Sequence, residues 1–170
     1  MGMKKQQINV ALACVIHERK ILLTKRQEKA QPDIDNKWEL PGGKVEFSES
    51  PLITVIREVK EETGYEVADP IGLPFPYTVM RQYDDYILHV IILCFECKFI
   101  GELGSFIQTQ NKIADVQWFD IERIQFLDIV GGSREFISWV LDKREFNTTN
   151  YRSSPSTSLE SSQSLVSRVT

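Results

Sequence analysis

The chain has 170 residues, which is enough for one domain with a hydrophobic core and too few to predict two. Its 24 acidic residues outnumber its 20 basic residues, giving a formal net charge of −4. This balance excludes a protein that grips a nucleic acid polymer over a broad basic surface, but it is compatible with a local basic pocket.

The cysteines indicate the compartment. Cys14, Cys94 and Cys97 are an odd number and lie in apolar runs, which predicts reduced, buried thiols in a cytoplasmic protein. Cys94 and Cys97 are three residues apart on a predicted strand, so we expect their side chains on opposite faces and disfavour a redox or zinc pair. No apolar run is long enough for a signal peptide or a membrane span, so we predict no membrane association.

The first segments of the chain predict β-structure. The apolar runs "INVALACVIH" and "KILLTKR" are separated by the polar "ERK", which predicts a β-hairpin. The next segment, "QEKAQPDIDN", is polar and contains a proline, and it predicts a loop. In "KWELPGGKVEF", the Pro-Gly-Gly interrupts a strand.

A helix is predicted from about Pro51 to Thr63. Ser50 is a good capping residue, Pro51 suits the first helical position, and Gly64 supplies the stop. Four apolar residues at helical spacing predict one buried stripe: Leu52, Val55, Ile56 and Val59.

The second half of the chain predicts further strands and a second helix. "PYTVMRQY" and "YILHVIILCFECKF" flank Asp84 and Asp85 and predict another hairpin, and "ADVQWFDI" predicts a strand. Phe136, Ile137 and Val140 have helical spacing. From residue 146 the chain is rich in Ser and Thr, so we predict one domain over residues 1–145 and a disordered tail over 146–170.

Three glutamates crowd one side of the first predicted helix. At about 100° per residue, Glu58, Glu61 and Glu62 fall within an arc of roughly 100° beside the apolar stripe. They repel one another unless a cation lies among them. Carboxylates, with carbonyl oxygens from the adjacent "LPGGKVEF", are the ligands that Mg²⁺ or Mn²⁺ prefers. The alternative interpretation is an ordinary exposed helix face.

The spacing of these residues is specific. The segment "GKVEFSESPLITVIREVKEETGY" resembles the Nudix box, with Tyr65 where the family prefers an aliphatic residue. Seven polar or glycine positions of the box are matched: Gly43, Glu49, Arg57, Glu58, Glu61, Glu62 and Gly64. "KILLTKR" and "NKWELPGGKVE" are similar to the MutT-like branch of the Nudix hydrolases, and the resemblance covers about Ile8 to Lys143.

The resemblance implies both a fold and an activity. The fold is of the α/β (α+β) class, an α/β/α sandwich with a mixed β-sheet and the box as a loop–helix–loop. The activity is Mg²⁺- or Mn²⁺-dependent cleavage of a nucleoside triphosphate to the monophosphate and pyrophosphate. The implied partner is a small nucleotide rather than a nucleic acid polymer, and the oligomeric state stays open, with a homodimer included.

The resemblance also implies roles for individual residues. It implies metal binding by Glu58, Glu61, Glu62 and Gly42. It implies catalysis by Glu58, Arg57 and Glu61, with Glu58 a candidate base and Arg57 orienting a glutamate. It implies substrate binding by Arg26, Lys44 and Gly43. Glu49 is expected to tie the loop to the helix.

The sequence departs from the family pattern at two places. Many members have a further acid in the loop before the last long strand, where this chain has Gln110, Asn111 and Lys112. Ahead of the last helix, where relatives read a base, it offers Ser133. Two alternatives therefore stay open: a Nudix enzyme acting on ADP-ribose or a dinucleoside polyphosphate, and a binding module without catalysis, against which the intact acids argue.

Overall fold

The computed structural model describes residues 3–101 and 112–152, with side chains up to residue 144. Within these ranges it contains eight strands: β1 (Lys4–His17), β2 (Lys20–Arg26), β3 (Trp38–Glu39), β4 (Gly42–Lys44), β5 (Glu66–Gly72), β6 (Tyr77–Gln82), β7 (Tyr86–Ile100) and β8 (Ile113–Asp120). The helices there are α1 (Pro51–Thr63), α2 (Gly131–Arg152) and a short 3₁₀ helix (Ile121–Phe126).

The strands form a mixed sheet centred on β1. Strand β1 runs parallel to β7 from the Lys4–Tyr86 pair to the Val15–Cys97 pair, and antiparallel to β4. Strands β5 and β6 pair antiparallel with β7, while β3 and β8 pair antiparallel with β2. The end of β1 pairs with the start of β2 as the predicted hairpin requires. The predicted β6–β7 hairpin is also present.

A helix packs on each face of the sheet. On one face, side chains of β1 pack with Val55 and Val59 of α1. On the other, the alternate side chains of β1 pack with Phe136 and Val140 of α2. Successive side chains of a strand point to opposite faces, so one strand serves both cores. The predicted α/β/α sandwich is confirmed.

The cysteines follow the same alternation. Cys94 lies in the core beside α2 and Cys97 in the core beside α1, as their offset of three predicted. All three thiols are free and buried. Burial raises the pKa of Cys97 to about 12, so the thiol stays protonated.

Helix α1 has the predicted bounds and caps. The Ser50 side chain accepts a hydrogen bond from the Leu52 N–H, and Gly64 ends the helix at φ 73°. The predicted apolar stripe is wrong in part, because Leu52 and Ile56 are 44% and 39% exposed. The buried side is instead centred on Val55, Val59 and Glu62, so a carboxylate takes a position that hydrophobicity alone gives to Ile56.

Helix α2 confirms the second predicted helix, since Phe136, Ile137 and Val140 are buried. Its backbone continues to Arg152, past the predicted domain boundary at residue 145. The rest of the predicted tail, residues 153–170, lies outside the described residues. In the part of the chain that the structure describes, neither helix has the length and apolar character to span a membrane.

Candidate active site

A cavity of about 460 Å³ opens on the α2 side of the sheet. Its floor is apolar because side chains of β1, β6 and β7 line it. The floor residues are Ile8, Val10, Leu12, Val79, Leu88, Val90 and Ile92. Tyr77 and the first residues of α2 close one end of the cavity, and the loop 27–37 contributes Glu28, Gln31 and Ile34.

Six of the eight predicted site residues line this cavity: Arg26, Gly42, Gly43, Lys44, Glu58 and Glu62. The sequence separates Arg26 from Glu62 by a whole loop and a helix, and the fold brings them to one wall. The two others, Arg57 and Glu61, do not line the cavity. They lie behind it on α1, where the side chain of Glu61 is 47% exposed.

Arg57 is the cation among the glutamates. Its Nε and Nη2 donate to the two carboxylate oxygens of Glu49 at 2.8 and 2.9 Å. Its Nη1 donates to Glu58 Oε1 at 2.8 Å and to Glu61 Oε2 at 3.1 Å. Hydrogen bonds from Arg57 and Thr54 lower the pKa of Glu49 to about 2. Glu49 therefore joins the loop to the helix, and Arg57 fixes the orientation of Glu58.

The glycine loop lies directly against the buried acids. The Gly42 N–H donates to Glu62 Oε2 at 2.9 Å. A Cβ added to Gly43 would lie 2.7 Å from Glu58 Oε2, so the carboxylate occupies the space of that missing side chain. A side chain at position 43 would therefore displace the Glu58 carboxylate from its observed place.

Glu62 is a buried carboxylate with little compensation. It is 3% exposed. Burial raises its pKa to about 8, the Gly42 N–H opposes this, and the neighbouring charges of Glu39 and Glu58 add to it. Burial also raises the pKa of Glu58, against the effect of Arg57. A divalent cation beside these two carboxylates would offset the cost of burying them.

The oxygen ligands available at the cavity are of the type that a divalent cation such as Mg²⁺ prefers. Glu58 and Glu62 face the cavity with the Gly42–Gly43 backbone, and all of these offer oxygen donors of the type that Mg²⁺ prefers. Within residues 3–101 and 112–152, no three His, Cys, Asp or Glu side chains are gathered in a metal-binding group. Glu61, turned toward Arg57, is the predicted ligand that the structure does not bring to the cavity.

Glu39 and Arg81 were not predicted from the sequence. Glu39 is 8% exposed and lies 2.6 Å from Arg26, while Arg81 lines the same cavity from β6. The signal for Glu39 was a charged residue between Trp38 and Leu40 in a short apolar strand, where an unpaired charge is costly. Arg81 carried no comparable local signal.

Trp38, Phe75 and Ser133 make structural contacts. Trp38 packs edge-on against Phe119, and Phe75 stacks on Phe136. Ser133 is buried, and its Oγ accepts a hydrogen bond from the Leu40 N–H at 3.0 Å.

Lys112 lines the cavity and pairs with Glu28 at 2.7 Å. Gln110 and Asn111 lie outside the described residues. The described part of this loop therefore presents a cation to the cavity.

The chain resembles known proteins over most of its length. The family model of the NUDIX domain matches residues 6–140. The methanol dehydrogenase activator of Bacillus methanolicus is 32% identical over 49% of this chain and 43% of its own length. The m7GpppN-mRNA hydrolase of Saccharomyces cerevisiae is 30% identical over 71% of this chain and 11% of its own length. The chain thus spans less than half of either relative.

Other matches cover both partners almost completely. The Nudix hydrolase YvcI of Bacillus subtilis is 26% identical over 84% of this chain and 92% of its own. The MutT protein of Methanosarcina mazei Go1 has a TM-score of 0.55 and 25% identity over 88% of this chain and 99% of its own. A NUDIX hydrolase from Nitrosomonas europaea has a TM-score of 0.63 and 19% identity, covering 83% and 90% of the two chains. Because the NUDIX model matches most of its length, this chain belongs to the Nudix hydrolase family.

Proposed function

We propose that this protein is a divalent-metal-dependent pyrophosphohydrolase that cleaves a nucleoside triphosphate to the monophosphate and pyrophosphate. The observation that carries the proposal is the shared cavity, where the acids Glu58 and Glu62 meet the basic Arg26 and Lys44 above an apolar floor. The floor suits the flat face of a base, and the basic side chains suit phosphates.

The residues of this chain suggest a division of labour. Glu58, Glu62 and the Gly42 carbonyl, which line the cavity, would hold Mg²⁺ or Mn²⁺, and the cation would neutralise charge on the phosphoryl oxygens. Glu61 is kept as a further ligand on the family resemblance alone, because its side chain does not line the cavity. Glu58 accepts a proton from a water molecule as the water oxygen bonds to phosphorus and the bridging P–O bond breaks. Arg57 orients Glu58 for this step through its 2.8 Å hydrogen bond. Arg26 and Lys44 bind phosphate oxygens.

The test is product release from a nucleotide panel, first with Mg²⁺ and then with EDTA. The panel contains ordinary and 8-oxo dNTPs, ADP-ribose and a dinucleoside tetraphosphate. We expect Mg²⁺-dependent pyrophosphate release from a triphosphate. Cleavage of only ADP-ribose or the dinucleoside tetraphosphate would contradict the proposed substrate but would support metal-dependent hydrolysis of a pyrophosphate bond. Silence on the whole panel would favour a binding module.

Arg57→Lys is expected to lower kcat by about 10- to 100-fold, a range typical of residues that orient metal ligands. Lysine keeps the charge but cannot make the fork to Glu49 while also donating to Glu58. Steady-state kinetics with saturating Mg²⁺ measures the effect. The matched control is Arg19→Lys, which alters a surface pair with Glu122. Equal kcat values for Arg57→Lys and Arg19→Lys would show that Arg57 does not orient Glu58 for catalysis.

Glu61→Gln is expected to raise the Mg²⁺ concentration for half-maximal rate by about 10- to 100-fold. The variant keeps the size of the side chain and removes the charge beside Arg57 at a position 47% exposed, so folding is preserved. A Mg²⁺ titration of initial rate measures it. Glu66→Gln, a surface glutamate paired with Lys60, is the control. An unchanged Mg²⁺ requirement would show that Glu61 is not a ligand.

A further inference from the structure

Strand β6 presents one charged side chain to the cavity. Tyr77, Val79 and Arg81 alternate on the inner face of this strand and line the cavity, while the residues between them are exposed. The apolar floor beneath carries no charge. Arg81 is therefore placed where the part of a substrate lying on the floor reaches the cavity wall.

The loop 27–37 holds the Arg81 guanidinium in place. Nη2 donates to Asp33 Oδ2 at 2.9 Å, and Nη1 donates to the side-chain oxygen of Gln31. The side chain is 23% exposed. Two contacts from one loop orient the fork, so little conformational freedom is left for a ligand to remove.

The guanidinium has five N–H donors, of which Gln31 and Asp33 engage two, and the Nε–H is among those that remain. Arg81 Nε is buried and has no hydrogen-bond partner among the described residues. A buried donor without a partner costs free energy, so such a group in a cavity wall points to an acceptor that arrives with a ligand. Arg26 Nε has the same status.

The two arginines occupy different parts of the wall. The carboxylate of Glu39 lies 2.6 Å from the Arg26 guanidinium. Burial raises the pKa of Glu39, and the charges of both Arg26 and Arg81 oppose that rise. Burial also raises the pKa of Glu62, which lies beside the glycine loop, and the charge of Arg26 opposes that rise as well.

Arg81 pairs with Leu88 of β7, which pairs with Gln6 of β1. In contrast, Gly42–Lys44 pair with residues 10–12 of β1. Arg81 is therefore separated from the glycine loop by β1 and β7, and lies away from the proposed phosphate site.

We propose that Arg81 is a specificity-determining residue that donates hydrogen bonds to the base of the nucleotide and selects guanine over adenine. The inference rests on the proposed function, because it assigns the base of that substrate. A guanidinium offers donors only. Guanine presents two acceptors, O6 and N7, on one edge, whereas adenine presents N7 beside an amino group that is itself a donor.

The experiment compares kcat and KM for GTP, ITP and ATP with Mg²⁺. Hypoxanthine in ITP keeps O6 and N7 and lacks the 2-amino group, so it isolates the edge that Arg81 reads. We expect kcat/KM for GTP and ITP to exceed that for ATP by about 10- to 100-fold, the discrimination typical of a good bidentate arginine contact. Arg81→Ala is expected to bring the three values within about threefold, mainly by raising KM for GTP and ITP.

Two further variants make the result specific. Asp33→Asn keeps Arg81 but removes the charge that orients it, and we expect an intermediate loss of discrimination. Arg123→Ala removes an exposed arginine of the 3₁₀ helix outside the cavity and is expected to change nothing. Thermal melts of each variant confirm folding.

The inference is overturned if the wild type prefers ATP. It is also overturned if Arg81→Ala lowers kcat/KM equally for all three substrates, as the loss of a phosphate or ribose contact would. If the wild type cleaves no triphosphate, the proposed function fails by itself. Equilibrium binding of GMP and AMP to wild type and Arg81→Ala then decides the inference separately. Equal affinities for the two monophosphates in the wild type would reject it.

Discussion

Replacing Glu58 with glutamine is expected to lower kcat by about 10²- to 10⁴-fold, the range for loss of a positioned general base. Glu58 is the predicted acid that both faces the cavity and is held by Arg57, at 2.8 Å. Glutamine keeps the shape that fits against Gly43 but cannot accept the proton from water. Single-turnover kinetics with saturating Mg²⁺ separates this chemical step from binding.

The control for this prediction is Glu46→Gln. Glu46 lies in the loop between β4 and α1, is 62% exposed and pairs with Lys44 at 3.5 Å. It should retain kcat within about twofold, because exposed ion pairs contribute little. A Glu58→Gln rate within tenfold of wild type, with an unchanged melting temperature, would assign the base to another residue.

Gly42→Ala is expected to destabilise the protein by roughly 3 kcal/mol or more, combining a strained backbone with overpacking. Gly42 has φ 151°, and a Cβ there would lie 2.8 Å from Leu12 Cα and still closer to the Ala11 carbonyl oxygen. Both partners are backbone atoms of the central strand and cannot turn aside. For a chain of this size the melting temperature should fall by about 6 to 12 °C.

Gly72→Ala supplies the matched control. Its added methyl would lie 3.5 Å from the Phe95 ring, an ordinary contact, and we expect a change within about 0.5 kcal/mol. Denaturant unfolding of both variants measures the difference. If Gly42→Ala is as stable as Gly72→Ala, the contact between β4 and β1 is looser than the structure shows.

The first helix was predictable from the sequence because its signals are local. A capping serine, a proline at the first position and a terminal glycine act within a few residues of one another, and α1 has the predicted bounds. The box residues were likewise found by their spacing on one helix and one loop. Strand β5 was missed, because "EVADPIG" contains a proline and its register shifts between Ala68 and Ile71.

The cavity could not be derived in the same way. Arg81 is held by hydrogen bonds to Gln31 and Asp33, which lie 50 and 48 positions away in the chain, and no local pattern marks this contact. Burial of Glu62 depends on how α1 lies on the sheet, which periodicity leaves undetermined when a carboxylate takes a core position. Residues brought together by tertiary packing therefore require the fold before they can be grouped.

The segment 38–44 has an energetic consequence for ligand binding. Trp38 and Glu39 pair with β2, whereas Gly42–Lys44 pair with β1, and Pro41 between them accepts a hydrogen bond from the Ala13 N–H. A nucleotide bound to the glycine loop and to Arg26, which is held by Glu39, would be released if either pairing opened. Its binding free energy is therefore linked to global unfolding, and amide hydrogens throughout β1 and β2 should exchange more slowly in its presence.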